Sequence, residues 1–160
     1  MGRQEPLLIS MENTPANSSD GAQKRLLIVD DDPGVRTMLG RVLTGEGYLV
    51  QAAGDGEEAL VVAGAQPFDL VILDLTLPPT DGWDVFLRLR TAHPLLPVVV
   101  ITARFGQAGA ASLAGVDALL EKPLDYPTLL QTLAQVLAAP ATAKLARGVP
   151  RPLPFHAQRD

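Results

Sequence analysis

The chain alternates five times between a short apolar run and a longer stretch in which apolar residues recur with helical spacing. This pattern predicts strands at 26–29, 48–52, 70–73, 98–102 and 118–120, and helices near 35–43, 57–65, 85–89, 107–114 and 129–137. The third and fourth strands are continuously apolar, which is typical of strands buried on both faces of a parallel sheet. The chain is therefore predicted to fold from repeated βα units.

The capping residues agree with this division. Asp32 precedes Pro33, which is the pattern of an N-cap followed by proline at the first helical position. Asp55 and Asp81 are placed to cap the second and third helices. Because crossovers between parallel strands are nearly always right-handed, we predict an α/β fold with a doubly wound, five-stranded parallel sheet covered by helices on both sides.

The 160 residues suffice for one domain, which we place at residues 25–139. Residues 1–24 mix Ser, Asn, Pro, Gly and charged residues without periodicity, and residues 140–160 contain four prolines among Ala, Arg and Gly. Both segments are predicted to be disordered tails. Met11 is an alternative to Met1 as the natural start.

The charge of the chain argues against several classes of partner. A net charge of −5, a pI near 4.9 and the lack of any basic run give no electrostatic basis for binding nucleic acid or an anionic membrane. No apolar stretch approaches the ~20 residues that span a bilayer, there is no secretory signal pattern, and the chain has no cysteine. These features predict a soluble, cytoplasmic protein.

Polar residues follow the ends of four predicted strands. Ligands of open α/β sheets bind beyond the carboxyl ends of the strands, and this edge is predicted to carry Asp30, Asp31, Asp32, Asp74, Thr102 and Lys122. Taken singly, these residues have structural interpretations as a helix cap, the start of a turn, a strand-end hydroxyl and a surface lysine. Their coincidence at one edge favours a functional site, and Lys122 is the only lysine between Lys24 and Lys144.

Carboxylates that converge on one point repel each other unless a cation neutralises them. An all-oxygen site with few protein ligands suits Mg²⁺, which keeps several waters. With Mg²⁺ bound, one aspartate can attack phosphorus while a hydroxyl and an ammonium group absorb charge on the phosphoryl oxygens. Thr102 and Lys122 suit those supporting roles, so the pattern predicts phosphoryl-transfer chemistry.

Four short segments that carry the candidate site residues follow one another along the chain. They are LLIVDDD at 26–32, DLTLP at 74–78 with DG at 81–82, Thr102-Ala103, and Lys122-Pro123. Together they resemble the receiver domains of response regulators, the phosphoacceptor proteins of two-component signal transduction. The resemblance extends over residues 25–139. It implies a flavodoxin-like (βα)5 fold with strand order 2-1-3-4-5 and a cis peptide bond before Pro123.

The resemblance also implies roles for individual residues. Asp74 would accept the phosphoryl group from a sensor histidine kinase or a histidine phosphotransfer protein, Thr102 would hydrogen-bond that group, and Lys122 corresponds to the family lysine. The implied ligands of the Mg²⁺ cofactor are Asp30, Asp31, Asp74 and the backbone carbonyl of Thr76. The protein would be a phosphoacceptor switch and not an enzyme, since it would catalyse only its own phosphorylation and dephosphorylation.

The chain departs from the family pattern in three ways. Leu119 stands where the family commonly has Tyr or Phe, so the aromatic half of the usual switch is missing. The segment between Thr102 and Gly115 is short and rich in Gly and Ala, which predicts a short or mobile fourth helix. No output domain follows, only the proline-rich tail, so the expected output is contact with an unidentified downstream protein or phosphate relay, by a monomer or weak homodimer.

Three other interpretations compete with that of a receiver domain. A haloacid-dehalogenase-type phosphatase uses similar groups, but its nucleophilic aspartate ends the first strand and its acidic pair comes last. A flavodoxin-like FMN binder has a phosphate loop of Ser, Thr and Gly where this chain has three acids. The stronger alternative is a degenerate receiver that acts as an unphosphorylated protein-interaction module; Leu119 favours it, and the intact set of acidic, hydroxyl and lysine residues opposes it.

Overall fold

The computed structural model describes residues 23–103 and 115–139. The strands are β1 (Arg25–Val29), β2 (Leu49–Ala53), β3 (Leu70–Asp74), β4 (Thr76–Leu77), β5 (Thr80–Asp81), β6 (Val98–Thr102) and β7 (Ala118–Glu121). The helices are α1 (Pro33–Gly45), α2 (Gly56–Ala65), α3 (Gly82–Ala92) and α4 (Tyr126–Ala138). The helix predicted near 107–114 and the predicted tails, apart from Gln23 and Lys24, lie outside the described residues.

Five of the strands form one parallel sheet in the order β2-β1-β3-β6-β7. Counted along the chain without the two short strands, this is the order 2-1-3-4-5, so the predicted fold class is confirmed. The predicted strand ends agree with the observed ones to within one residue. The short strands β4 and β5 pair antiparallel in a two-stranded ribbon that the sequence analysis did not predict.

The central strands are buried on both faces of the sheet. Along β1, Leu27 and Val29 pack with the cluster under α2 and α3, whereas Leu26 and Ile28 pack with the cluster under α1 and α4. The strands β3 and β6 alternate in the same way. This two-sided burial explains why their sequences are continuously apolar.

The predicted N-caps are confirmed. The Asp32 side chain accepts hydrogen bonds from the N–H groups of Gly34 and Val35 at the start of α1. Asp55 and Asp81 cap α2 and α3 in the same manner.

None of the helices in the described part of the chain has both the length and the apolar character needed to span a bilayer.

Candidate functional site

Parallel pairing brings the carboxyl ends of four strands to one edge of the sheet. Asp30 directly follows β1, Asp74 is the last residue of β3, Thr102 is the last residue of β6, and Lys122 directly follows β7. The register places these ends side by side, because Val29 pairs with Leu73, Asp74 with Ile101, and Thr102 with Glu121, each across neighbouring strands. The predicted site residues therefore come from four different strands.

Three carboxylates converge at this edge. Oxygen atoms of Asp30, Asp31 and Asp74 all lie within 4.8 Å of one another. Asp30 and Asp74 are buried, with 2% and 3% of their surface exposed, whereas Asp31 is exposed. The arrangement presents two buried acids and one solvent-facing acid around a common point, which a bound cation would neutralise.

The Asp74 carboxylate is held from both sides. Its Oδ1 accepts a hydrogen bond from the backbone N–H of Thr76 at 2.9 Å, and its Oδ2 accepts one from the Lys122 ammonium at 3.0 Å. The first bond comes from the turn that follows β3, and the second comes from the end of β7. The orientation of this carboxylate is thus fixed by contacts that do not depend on a ligand.

Asp30 is held less completely. Its Oδ1 accepts a hydrogen bond from the N–H of Asp32 at 2.9 Å, but its buried Oδ2 has no hydrogen-bond donor among the described residues and lies 3.5 Å from the Lys122 ammonium. Burial, aided by the charge of Asp74, raises the pKa of Asp30 from 3.8 to about 6, although the Asp32 N–H and Lys122 pull the other way. A buried carboxylate oxygen that lacks a donor is an available ligand for a hard cation.

Lys122 supplies the positive charge of the site. Burial lowers its pKa, but the hydrogen bond to Asp74 and the charges of Asp74 and Asp30 outweigh burial and raise the pKa of Lys122 above its usual 10.5. The side chain therefore stays an ammonium group at neutral pH. The peptide bond between Lys122 and Pro123 is cis, as the resemblance implied.

Thr102, Thr76 and Leu119 differ in how far they are buried. Thr102 is fully buried, and its carbonyl accepts a hydrogen bond from the N–H of Lys122 at 2.9 Å. Thr76 is exposed and opens the ribbon, two residues beyond Asp74. Leu119 is half-buried and packs against the apolar cluster under α2 and α3.

The sequence analysis missed one residue at the rim of the site. Arg36, in the first turns of α1, donates a hydrogen bond from Nη1 to the backbone carbonyl of Asp30 at 2.7 Å. The available signal was its position four residues after the N-cap, where a long side chain of a helix can reach back to the preceding loop. That signal is weak, because most arginines at such positions face solvent.

A family model described as the response regulator receiver domain matches residues 26–134. The chain belongs to this receiver family. The transcriptional regulatory protein GlrR of Escherichia coli K12 is 42% identical over 121 residues, which cover 73% of this chain and 27% of that protein. The response regulator MprA of Mycolicibacterium vanbaalenii is 40% identical over 115 residues, covering 71% of this chain and 50% of MprA.

Solved structures agree with the family. A putative response regulator from Chloroflexus aurantiacus is 35% identical with a TM-score of 0.70, and the match covers 74% of this chain and 100% of that one. The response regulator TrrA from Thermotoga maritima, in complex with Mg²⁺-BeF, is 31% identical with a TM-score of 0.67, over 71% of this chain and 99% of TrrA. The receiver chain thus spans whole solved receivers but half or less of the two curated relatives.

Family membership and the three-carboxylate cluster confirm Mg²⁺ as the cofactor, and the donor set fits it, since Asp30 Oδ2 is a buried oxygen without a donor. Receiver domains are phosphoacceptor switches of two-component systems that interact with histidine kinases. The curated relatives are longer and include transcriptional regulatory proteins, so the prediction of a receiver without an output domain stays a prediction.

Proposed function

We propose that this receiver accepts a phosphoryl group from a phosphohistidine onto Asp74, with the donor supplied by a histidine kinase or a histidine phosphotransfer protein. The observation that carries the proposal is the environment of the Asp74 carboxylate. It is buried at the end of β3, oriented by Thr76 and Lys122, and lies within 4.8 Å of two other carboxylates that suit Mg²⁺. Because this nucleophile is already oriented, little rotational freedom remains to be lost when it reacts.

The reaction forms a bond between an Asp74 carboxylate oxygen and phosphorus and breaks the bond between phosphorus and the donor imidazole nitrogen, which keeps the electron pair. Asp30, Asp31, Asp74 and the Thr76 carbonyl would hold Mg²⁺, which neutralises charge on the phosphoryl oxygens when it is bound. Lys122, whose ammonium is already 3.0 Å from Asp74, would bind a phosphoryl oxygen. The Thr102 hydroxyl, at the end of the adjacent strand, would donate a hydrogen bond to another phosphoryl oxygen.

Hydrolysis of the resulting acyl phosphate returns Asp74 to its carboxylate and resets the switch. The chain would act on itself alone and would not turn over a separate substrate.

We further propose that residues 25–139 form the receiver domain. Its output would be contact with another protein or phosphate relay. A cytoplasmic location and a monomer or weak homodimer complete the proposal, which rests on the acidic charge and cysteine-free composition.

One observation favours a second function, that of an unphosphorylated binding module. Leu119 is half-buried within an apolar cluster, so the position that an aromatic side chain occupies in many receivers carries no group that could swing towards the phosphoryl site. A receiver that has lost switching could keep its fold as a docking surface. Phosphorylation of Asp74 is the property that distinguishes the two functions.

The test is intact-mass analysis after incubation with Mg²⁺ and acetyl phosphate. We expect a labile gain of one phosphoryl group in the wild-type chain, none in Asp74→Asn, and an unchanged gain in Asp84→Asn, a matched control at an exposed position of α3. Labelling that persists in Asp74→Asn would identify another acceptor. No labelling of the wild-type chain by acetyl phosphate or by a panel of histidine kinases, with no binding of Mg²⁺, would leave the binding module as the function.

A further inference from the structure

Arg36 connects two loops at the rim of the candidate site. Its Nη1 donates to the Asp30 carbonyl at 2.7 Å, in the loop between β1 and α1. The same guanidinium lies over Gly54, in the loop between β2 and α2, where an added Cβ would be 3.1 Å from Nη1 and 3.4 Å from Cζ. The side chain therefore spans from one loop to the next.

The Asp30 peptide needs this partner. Its N–H continues the sheet by donating to the Ala53 carbonyl at 3.2 Å, but its carbonyl lies beyond the last residue of β1. A buried carbonyl without a donor costs free energy, and a hydrogen bond from a charged guanidinium is among the stronger ones available. Arg36 thus completes the backbone bonding of the residue that carries one metal-site carboxylate and precedes another.

The Arg36 guanidinium forms no ion pair with an acid of the described residues. Among the salt bridges of the described residues, the arginines that pair with acids are Arg88 and Arg90, whereas Arg36 has no carboxylate within 4.0 Å. Its short contact is with a carbonyl, so its effect on the site runs through the backbone geometry of Asp30. Rotation of the peptide between Asp30 and Asp31 would move both carboxylates, and Arg36 opposes that rotation.

We propose that Arg36 is a positioning residue for the magnesium site, which holds the Asp30–Asp31 peptide so that both carboxylates face the Asp74 carboxylate. The inference rests on the proposed function, because it assumes that these acids bind Mg²⁺. Groups that orient metal ligands from outside the coordination shell contribute about tenfold or more to metal affinity.

A purely electrostatic role of Arg36 would have the opposite sign. Removing the positive charge of Arg36 from the rim of an acidic site would make the site more attractive to Mg²⁺, and replacing arginine by lysine would change little. Positioning requires the length and planar fork of arginine, which lysine lacks. The Lys and Met variants together therefore distinguish positioning from charge.

The experiment is calorimetric titration of the full chain with MgCl2. We expect Kd to rise about tenfold in both Arg36→Lys and Arg36→Met, and to stay within about twofold in Arg41→Met, a matched change at an exposed position of the same helix. Gly54→Ala, whose methyl group would press on the guanidinium, should raise Kd in the wild-type background and have no further effect in Arg36→Met.

A second measurement tests the contact between Arg36 and the Asp30 carbonyl in the absence of metal. In the apoprotein, amide hydrogen exchange at Asp32, whose N–H bonds to Asp30 Oδ1, should accelerate several-fold in Arg36→Met and not in Arg41→Met. Wild-type binding of Mg²⁺ with unchanged or tighter binding in the Arg36 variants would overturn the positioning role and leave the proposed function intact. Failure of the wild-type chain to bind Mg²⁺ would overturn both.

Discussion

Replacing Asp30 by Asn should stabilise the metal-free protein. Asp30 is 2% exposed, its Oδ2 has no hydrogen-bond donor among the described residues, and the Asp74 carboxylate is close by. An asparagine keeps Oδ1 as the acceptor for the Asp32 N–H and removes the buried charge. The substitution thus deletes an unfavourable group while preserving the bond that shapes the loop.

The magnitude follows from the pKa of Asp30. The rise of this pKa from 3.8 to about 6 makes the ionised form of Asp30 unfavourable in the folded state by about 3 kcal/mol. The full amount applies at pH values above both of these pKa values. This value already includes the attraction of Lys122, so it is a ceiling for the gain on substitution. We expect the free energy of unfolding to rise by about 1 to 3 kcal/mol at pH 8, with Tm higher by about 4 to 10 °C.

The sign of the pH dependence distinguishes this cause from others. Because the pKa of Asp30 is raised by folding, its unfavourable contribution is complete above about pH 6 and vanishes below its ordinary value of 3.8. The advantage of the variant should therefore shrink between pH 6 and pH 4. Added Mg²⁺ should also reduce it, since the cation stabilises the wild-type protein by binding its folded state.

The assay is urea unfolding in a chelating buffer at a series of pH values, with Asp31→Asn as the control. Asp31 is exposed, so its substitution should change the free energy of unfolding by no more than about 0.5 kcal/mol. Equal stability of Asp30→Asn and the wild-type chain at pH 8, or an advantage of the variant that persists unchanged to pH 4, would refute the reasoning.

Three other predictions can be checked with the same material. Mg²⁺ affinity should fall about tenfold per pH unit below about pH 6, because the proton on Asp30 must leave before its oxygen can bind the cation; a flat calorimetric profile between pH 4.5 and 7 would contradict this. Lys122→Gln should lower the free energy of unfolding of the metal-free protein by about 2 kcal/mol, with partial recovery in Mg²⁺, as measured by urea unfolding. Gly82→Ala should cost about 3 kcal/mol or more, because the methyl group would lie 2.3 Å from the Leu75 carbonyl oxygen, whereas Gly64→Ala, with nothing within 4 Å, should stabilise α2 by about 0.5 kcal/mol in thermal unfolding.

The sheet could be predicted from the sequence because its strands are buried on both faces. Continuous apolar runs at 70–73 and 98–102 correspond to β3 and β6, and the aspartate caps mark where α1, α2 and α3 begin. The ribbon of β4 and β5 could not be predicted in this way. Each of its strands has two residues, which is too short for any alternation of polar and apolar side chains to appear.

The carboxylates and Lys122 could be predicted to meet because each follows a strand of the same parallel sheet. Arginine contacts were not predictable by that reasoning. Arg90 is 1% exposed, pairs with Asp117 at 3.2 Å, donates to the Gly115 carbonyl and lies 5.0 Å from the centre of the Phe86 ring. Gly115 and Asp117 are distant from Arg90 along the chain, and an arginine within a helical pattern normally indicates the solvent-facing side.

The environment of Asp30 links the stability of the fold to the proposed chemistry. The backbone of Asp30 is fully bonded through Ala53 and Arg36, and its Oδ1 is bonded through Asp32, but Oδ2 lacks a donor among the described residues. Lys122 cannot serve both buried acids equally, since it lies 3.0 Å from Asp74 and 3.5 Å from Asp30. A cation that bound Oδ2 would remove the destabilisation that burial imposes on the metal-free protein. The same oxygen therefore makes the apoprotein less stable and makes the site attractive to Mg²⁺, so substitutions that relieve the first effect should weaken the second.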